Sequence, residues 1–579
     1  VEDPYRWLES DDEEVRAWSD GQSSYARGIL ESLPDVDALR AEVRAIIAAP
    51  VIRFGGYHPA GGKVFAIRKD PAKEQGELVV FDSPEEAAAA RLVLDPTAEG
   101  DKTRTIDWFV PSPDGTKVAV SLSVGGSEDG TLHLLDLGGK AIDAPIPGVQ
   151  YGTGGGDVAW TPDGKGLFYT RYPREGEKPG SERAFWMQVW FHQLGQAEDR
   201  YELGKGLSRI AEIMLETDRK GRVLASIQEG DGGKFQHYLR DPKRRTWKQL
   251  TDLGDGIVFV GFGPGDDLWM VSRAGAPRGK VLRLPAKGTL AKAKLVIPEG
   301  KDAIITDYYG EHGMVATQDR LYINYQLGGP SEVRAFTHTG KTAKAPALPP
   351  VSSADTPIDL GDGSLLVGAT SYVIPPTTYR FTPKTGMLEP MAVLSPPPAV
   401  SLDGFEVHRE MATSKDGTKV PVNIVWPANQ AKDGSTPCLV NGYGGYGISM
   451  SPGFLQGMHP LMSRGVCFVQ VNLRGGSEFG EDWHRAGMLT EKQNVFDDFA
   501  AALDLVVEGG WSKPERIGII GGSNGGLLMA ALVTQHPGKV KAVVSAVGIY
   551  DMLRVETTPN GAYNVPEFGT VKDAAQFAA

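Results

Sequence analysis

Seven times between Val51 and Pro398 a polar turn rich in Gly, Asp and Pro is joined to a short apolar strand. The segments are "GYHPAGGKVFAIRKD", "VPSPDGTKVAVSLS", "AWTPDGKGLFYTRY", "LETDRKGRVLASIQ", "GFGPGDDLWMVSRA", "YYGEHGMVATQD" and "DLGDGSLLVGATS", with turns near Tyr57, Pro111, Thr161, Asp218, Gly263, Gly310 and Gly361. The interval of roughly fifty residues is the length of one four-stranded antiparallel blade with its connections. Helical periodicity almost disappears over the same stretch. The spacing therefore predicts a seven-bladed β-propeller over residues 51–400. An irregular pair of β-sandwiches is the competing reading, because the repeats share no strict signature.

The flanks differ in texture. Residues 1–50 place apolar side chains at three- and four-residue spacing in "DDEEVRAWSDGQSSYARGIL" and "DVDALRAEVRAIIAA", which predicts a helical segment packing on a second domain. After "LSPPPAV", "FEVHREMATS" and "KVPVNIVWP" flank the turn "KDGT" as an antiparallel pair. "PCLVNGYGG", "GVCFVQVNLRGG", "RIGIIGGS" and "VKAVVSAVG" follow as near-continuous apolar runs, with helices between several of them, notably over residues 494–508. Strands of this kind belong to a mostly parallel sheet covered on both faces. Residues 401–579 thus read as an α/β domain of the hydrolase type. A chain of 579 residues is too long for one core in any case.

In "RIGIIGGSNGGLLMAALVTQHP" an apolar strand meets a helix at Ser523. Gly521 to Gly525 match G-x-S-x-G, in which small residues tolerate a strained serine and a close strand–helix approach. The bend places the Asn524 N–H at the helix N-terminus, facing the position of an oxyanion. A phosphate-binding loop is the alternative, but no Lys follows the glycines and the second half of a dinucleotide fingerprint is missing. The net charge of -13 argues against a nucleic-acid or anionic-membrane surface. Apolar runs are all too short for a membrane span. Cys438 and Cys467 are the only cysteines; both lie in strand-like runs and read as buried packing thiols rather than a disulfide. The chain begins at Val1, which leaves a leader peptide, and so the choice between cytoplasm and periplasm, open.

"VEDPYRWLES", "NGYGGYGIS" (441–449), "NLRGGSEFGEDWHRAG" (472–487) and "GGSNGGLL" (521–528) resemble signatures of the prolyl oligopeptidase family of serine peptidases, in the family's order. The resemblance covers essentially the whole chain, and Asn524 after the serine favours the prolyl branch. It implies a serine endopeptidase that cleaves short peptides after proline through an acyl-enzyme, as a monomer and without metal or cofactor. Oligopeptidases of the same fold with a non-proline pocket, and a non-catalytic propeller module carrying a dead hydrolase, are the alternatives. By resemblance Ser523 is the nucleophile, and Tyr443 joins the Asn524 N–H in the oxyanion hole. "GYGGYG" follows the strand "CLV", where this kind of fold places the second half of that hole. Tyr446, Ile549 and Phe568 fall at walls of the proline pocket. The family's stacking Trp is missing: its position falls on Asn564, beside Tyr563.

The triad order of this fold is Ser, then acid, then His. The sole histidine after Ser523 is His536, carried roughly 20 Å away by the intervening helix. His133, His192, His237, His312 and His338 belong to the propeller region and His408 to the antiparallel pair, while His459 and His484 read as surface or structural residues. Asp551 and Asp573 are too early or too polar in context to be the triad acid. One strand, "VKAVVSAVG", follows the elbow where the fold needs more. The expectation is that the triad Asp and His lie beyond Ala579, and that the polypeptide as written keeps only weak residual catalysis.

Overall fold

A computed structural model describes residues 3–152, 154–285, 287–306 and 313–578. From Arg53 to Pro390 the chain forms seven successive antiparallel sheets, each built from strands consecutive in sequence, five with four strands and two with five. These are the blades of a seven-bladed propeller. Central strands such as Lys117–Val124 are buried on both faces, because each blade is sandwiched between its neighbours. That is why Val, Leu, Phe and Ala run on in them without clean alternation. The ring closes without a shared strand: Val64, Val79 and Phe81 of the first blade pack against Leu366, Met391 and Leu394 at the last.

Six of the seven sequence turns open the hairpin between the first two strands of a blade. The exception is the sixth blade. The first strand is split there, as it is in the seventh blade, but in the sixth the two pieces, Ala303–Ile304 and Met314–Ala316, both pair with Arg320–Gln326 and the hairpin turns at residues 317–319. The turn expected near Gly310, and His312 with it, lies outside the described residues.

The second domain is built on a six-stranded sheet ordered Phe405–Thr413, Lys419–Pro427, Cys467–Val471, Cys438–Asn441, Ile517–Gly522 and Ala542–Ala546. The first two pairings are antiparallel and the last three parallel. Helix Gln493–Glu508 turns Val495, Phe499, Leu503 and Val506 onto this sheet. This is the α/β-hydrolase arrangement. The last strand is mostly exposed, with Val544 open to solvent. No helix among the described residues is long and apolar enough to cross a membrane.

The cysteine expectation is corrected. Cys438 and Cys467 are buried, but they form a disulfide. The parallel register sets them directly opposite each other on adjacent strands, with Cα atoms 4.6 Å apart. Two separate hydrophobic runs do not reveal that register.

Of the two N-terminal helices, Glu13–Glu31 buries no residue, whereas Val36–Ile47 buries Ile46 and accepts an ion pair from Arg464 at Glu42, 2.8 Å. The propeller and the sheet domain are joined by polar contacts. Arg273 pairs with Glu481 at 2.6 Å, the Arg409 guanidinium donates to the Gly328 carbonyl at 2.7 Å, and the Tyr563 hydroxyl donates to the Ala184 carbonyl at 3.0 Å.

Candidate active site

Strand Ile517–Gly522 ends at Ser523, whose backbone sits at φ 56°, ψ −121°, and helix Asn524–Gln535 begins at the next residue. A left-handed φ is unfavourable for a residue with a Cβ, so the surroundings must hold it. They do so by close backbone packing. A Cβ on Gly521 would stand 2.5 Å from the Gly525 carbonyl oxygen, and one on Gly526 would stand 2.7 Å from the Gly548 Cα. The Ser523 N–H donates to the Ala546 carbonyl at 3.0 Å, tying the bend to the last strand. The result presents the serine hydroxyl at the tip of the turn.

Tyr443 follows strand Cys438–Asn441, and its phenol comes close enough to the Ser523 hydroxyl to interact with it. Burial raises the phenol's pKa, so it stays protonated as a donor. The Asn524 side-chain amide donates to the Tyr443 carbonyl at 2.6 Å, which fixes the tyrosine loop to the elbow. That strut needs a glycine opposite. A Cβ on Gly445 would lie 2.6 Å from the Asn524 amide nitrogen. The Tyr443 O–H and the N–H of Asn524, the first residue of the helix, are the two donors available beside Ser523.

Beside them, Tyr446 meets Phe568 edge to face, with centroids 5.6 Å apart and planes at 84°. The Tyr446 hydroxyl donates to the Asn564 Oδ1 at 2.7 Å. Asn564 is therefore engaged by the pocket tyrosine rather than presented as an open polar wall. Tyr563 turns elsewhere: its ring stacks on Phe185 of the propeller, centroids 5.4 Å apart. Ile549 is half-buried on the loop after strand Ala542–Ala546.

Sequence reasoning missed the group beneath this pocket. Glu567, buried next to Phe568, accepts from Lys492 at 2.8 Å and pairs with His484 Nε2 at 2.9 Å; Lys492 also donates to the Gly444 carbonyl at 3.1 Å. Burial alone would raise the Glu567 carboxyl, but the Lys492 ammonium and His484 hold it below its ordinary value. For His484 burial opposes charging, and its bonds to Glu481 and Glu567 outweigh it and raise the pKa. His484 is thus a buried structural residue whose ring is committed below the tyrosine loop. Glu567 lies 83 residues from His484 and 75 from Lys492, so no local pattern could have exposed the cluster.

Among the described residues no histidine hydrogen-bonds Ser523. His459 faces Glu42, His408 packs on Trp511 and His536 caps the far end of the elbow helix. Asp551 is bound by Arg554, and Asp573 accepts from the Ala575 and Gln576 N–H groups.

Comparison with known proteins places these features in context. Residues 1–393 match the model of the prolyl oligopeptidase N-terminal beta-propeller domain, and residues 452–578 that of the prolyl oligopeptidase family. The chain is 28% identical to a prolyl endopeptidase of Elizabethkingia meningoseptica, covering 100% of this chain and 80% of the relative. It is likewise 28% identical to the prolyl oligopeptidase ophP of Omphalotus olearius, over 100% of this chain and 81% of that protein. A solved structure from a structural and mechanistic study of two prolyl endopeptidases superposes with a TM-score of 0.90 at 30% identity, covering 100% of this chain and 84% of the other.

Proposed function

The chain belongs to the prolyl oligopeptidase family, and on that premise we propose that it is a serine endopeptidase hydrolysing short peptides on the carboxyl side of proline. One observation carries the reading: a strained Ser523 interacting with the Tyr443 phenol, beside an aromatic corner made by Tyr446 and Phe568. Ser523 Oγ attacks the scissile carbonyl while a general base takes its proton, and the carbonyl oxygen becomes an alkoxide. The Tyr443 O–H and the Asn524 N–H stabilise that charge, one such donor contributing about 3 kcal/mol. Collapse expels the amine, which takes the proton back from the base, and leaves an acyl-serine that water then hydrolyses by the same steps in reverse order. Tyr446 and Phe568 bury the proline ring, with Ile549 at the rim. The family's stacking Trp is replaced by Asn564, which holds Tyr446 in place instead. The enzyme acts as a monomer, and its net charge of -13 gives nucleic acid no surface.

Paired fluorogenic peptides that differ only in Pro or Ala before the cleaved bond test this. Ring burial and edge contacts contribute on the order of 1 to 3 kcal/mol, so kcat/KM should favour Pro by roughly tenfold or more. A preference for Lys or Arg at that position would overturn the proline reading.

A further inference from the structure

The first strands of the blades enclose a central cavity of about 490 Å³. Its lining includes three carboxylates, Asp157, Glu212 and Glu216, and no Lys or Arg among the described residues. Two of the three are accounted for. Asp157 accepts from the Leu215 and Val158 N–H groups, both at 2.7 Å, and Glu216 opens to solvent inside the channel. Glu212 is different. It is 4% exposed, and neither carboxylate oxygen has a hydrogen-bond partner.

Four donors of this region bond to other acceptors. The Tyr172 hydroxyl donates to the Gly155 carbonyl at 3.2 Å, and the Tyr563 hydroxyl to Ala184. Gln228, opposite Glu212 in the sheet register, donates its amide to the Gly230 carbonyl at 2.9 Å. The nearby guanidinium of Arg209 is held by Glu182 through two bonds of 2.9 and 3.0 Å. Burial, reinforced by the Asp231 carboxylate, pushes the Glu212 carboxyl well above its ordinary value. A buried carboxyl with no partner is held in its neutral form by such a shift, and only a cation that pairs with it can restore the charge.

Its position says what could do so. Glu212 interacts electrostatically with Tyr563, the neighbour of Asn564 in the pocket helix, and Asp231 interacts with both Glu212 and Tyr443. We propose that Glu212 is a specificity-determining residue that receives a positively charged group of the peptide substrate, an α-ammonium or a Lys or Arg side chain, a few residues from the cleaved proline. The inference rests on the peptidase reading above. A cation entering along the channel gains a carboxyl that the protein leaves unserved, and the ion pair draws Glu212 toward its charged form; Asp157 and Glu216, which burial raises to about 7, supply further acceptors along the path.

The test is binding in the full-length protein carrying Ser523→Ala, so that it does not depend on turnover. A proline-containing peptide is scanned by replacing norleucine with lysine one position at a time, each peptide with a free and an acetylated amino terminus. Fluorescence anisotropy reads Kd. At one position Lys, or the free ammonium, should tighten binding about tenfold, and Glu212→Gln in the same background should abolish that gain at that position. Equal affinities for Lys and norleucine peptides at every position and for both termini would overturn the proposal, as would a gain that survives Glu212→Gln. Failure of the parent enzyme to cleave after proline would instead overturn the peptidase reading, an outcome the binding data do not share.

Discussion

Tyr443 carries the sharpest prediction at the scale of single residues. Its phenol interacts with Ser523, the proposed nucleophile, and on that proposal gains most when the substrate carbonyl becomes an alkoxide. Tyr443→Phe in the full-length enzyme should lower kcat about a hundredfold with KM little changed, because the donor acts on the transition state more than on bound substrate. Steady-state kinetics on a prolyl peptide read this directly, and an unchanged kcat removes Tyr443 from the oxyanion hole. Ser523 and Tyr443 were legible in the sequence because each sits in a glycine-framed turn whose chemistry is local. Asn564 was not. Its tie to Tyr446 joins positions 118 apart, and only the fold brings the hydroxyl within 2.7 Å of the amide oxygen. Glu212 was hidden for a related reason: a Glu in a strand is ordinary until the blade arrangement buries it without a donor.

Strands and helices of the sheet domain depend on two ties that run across elements. In the first, Arg474 is buried, makes paired bonds to the fully buried Asp498 and reaches Asp416 in the turn between the two antiparallel strands. The bond from Arg474 holds the Asp416 carboxyl down to about 2, below its ordinary 3.8. A depressed carboxyl contributes stability that is present above pH 3.8 and lost as pH falls toward 2. Over that window the parent protein should therefore lose more stability than Asp416→Asn does, as measured by urea midpoints; parallel losses would show the pair to be idle. The second tie is the disulfide, which closes a loop of 29 residues between adjacent parallel strands. Replacing both cysteines by Ala should lower the unfolding free energy by about 3 kcal/mol, and thiol titration of the unfolded, unreduced parent should find no free thiol. Two free thiols would contradict the bond. The strands themselves were legible because doubly covered strands are written as apolar runs, whereas the order and register that pair Cys438 with Cys467 are long-range properties. The sixth blade shows the same limit, since its hairpin turns at residues 317–319 and not at the polar stretch near Gly310 from which the repeat was counted.

At the scale of the whole molecule, the propeller stands against the catalytic face through Tyr563, Arg273 and the loop at Gly328. Its central cavity measures about 490 Å³ and its ring is closed by apolar packing between the first and last blades. Such a lid should admit peptides of a few tens of residues and exclude folded proteins. Digestion of a disordered peptide but not of a native globular protein with the same proline sites, followed by mass spectrometry, is the expected pattern; equal digestion of both would argue against the lid. The central claim is that Ser523 is a nucleophile served by a proline pocket. The most direct measurement is peptide mapping of the full-length protein after treatment with a peptidyl-proline diphenyl phosphonate and, in parallel, its alanine counterpart. The account predicts one covalent adduct, on Ser523, formed about tenfold faster with the prolyl reagent and lost in Ser523→Ala. An adduct on another residue, or equal rates with the two reagents, would contradict it.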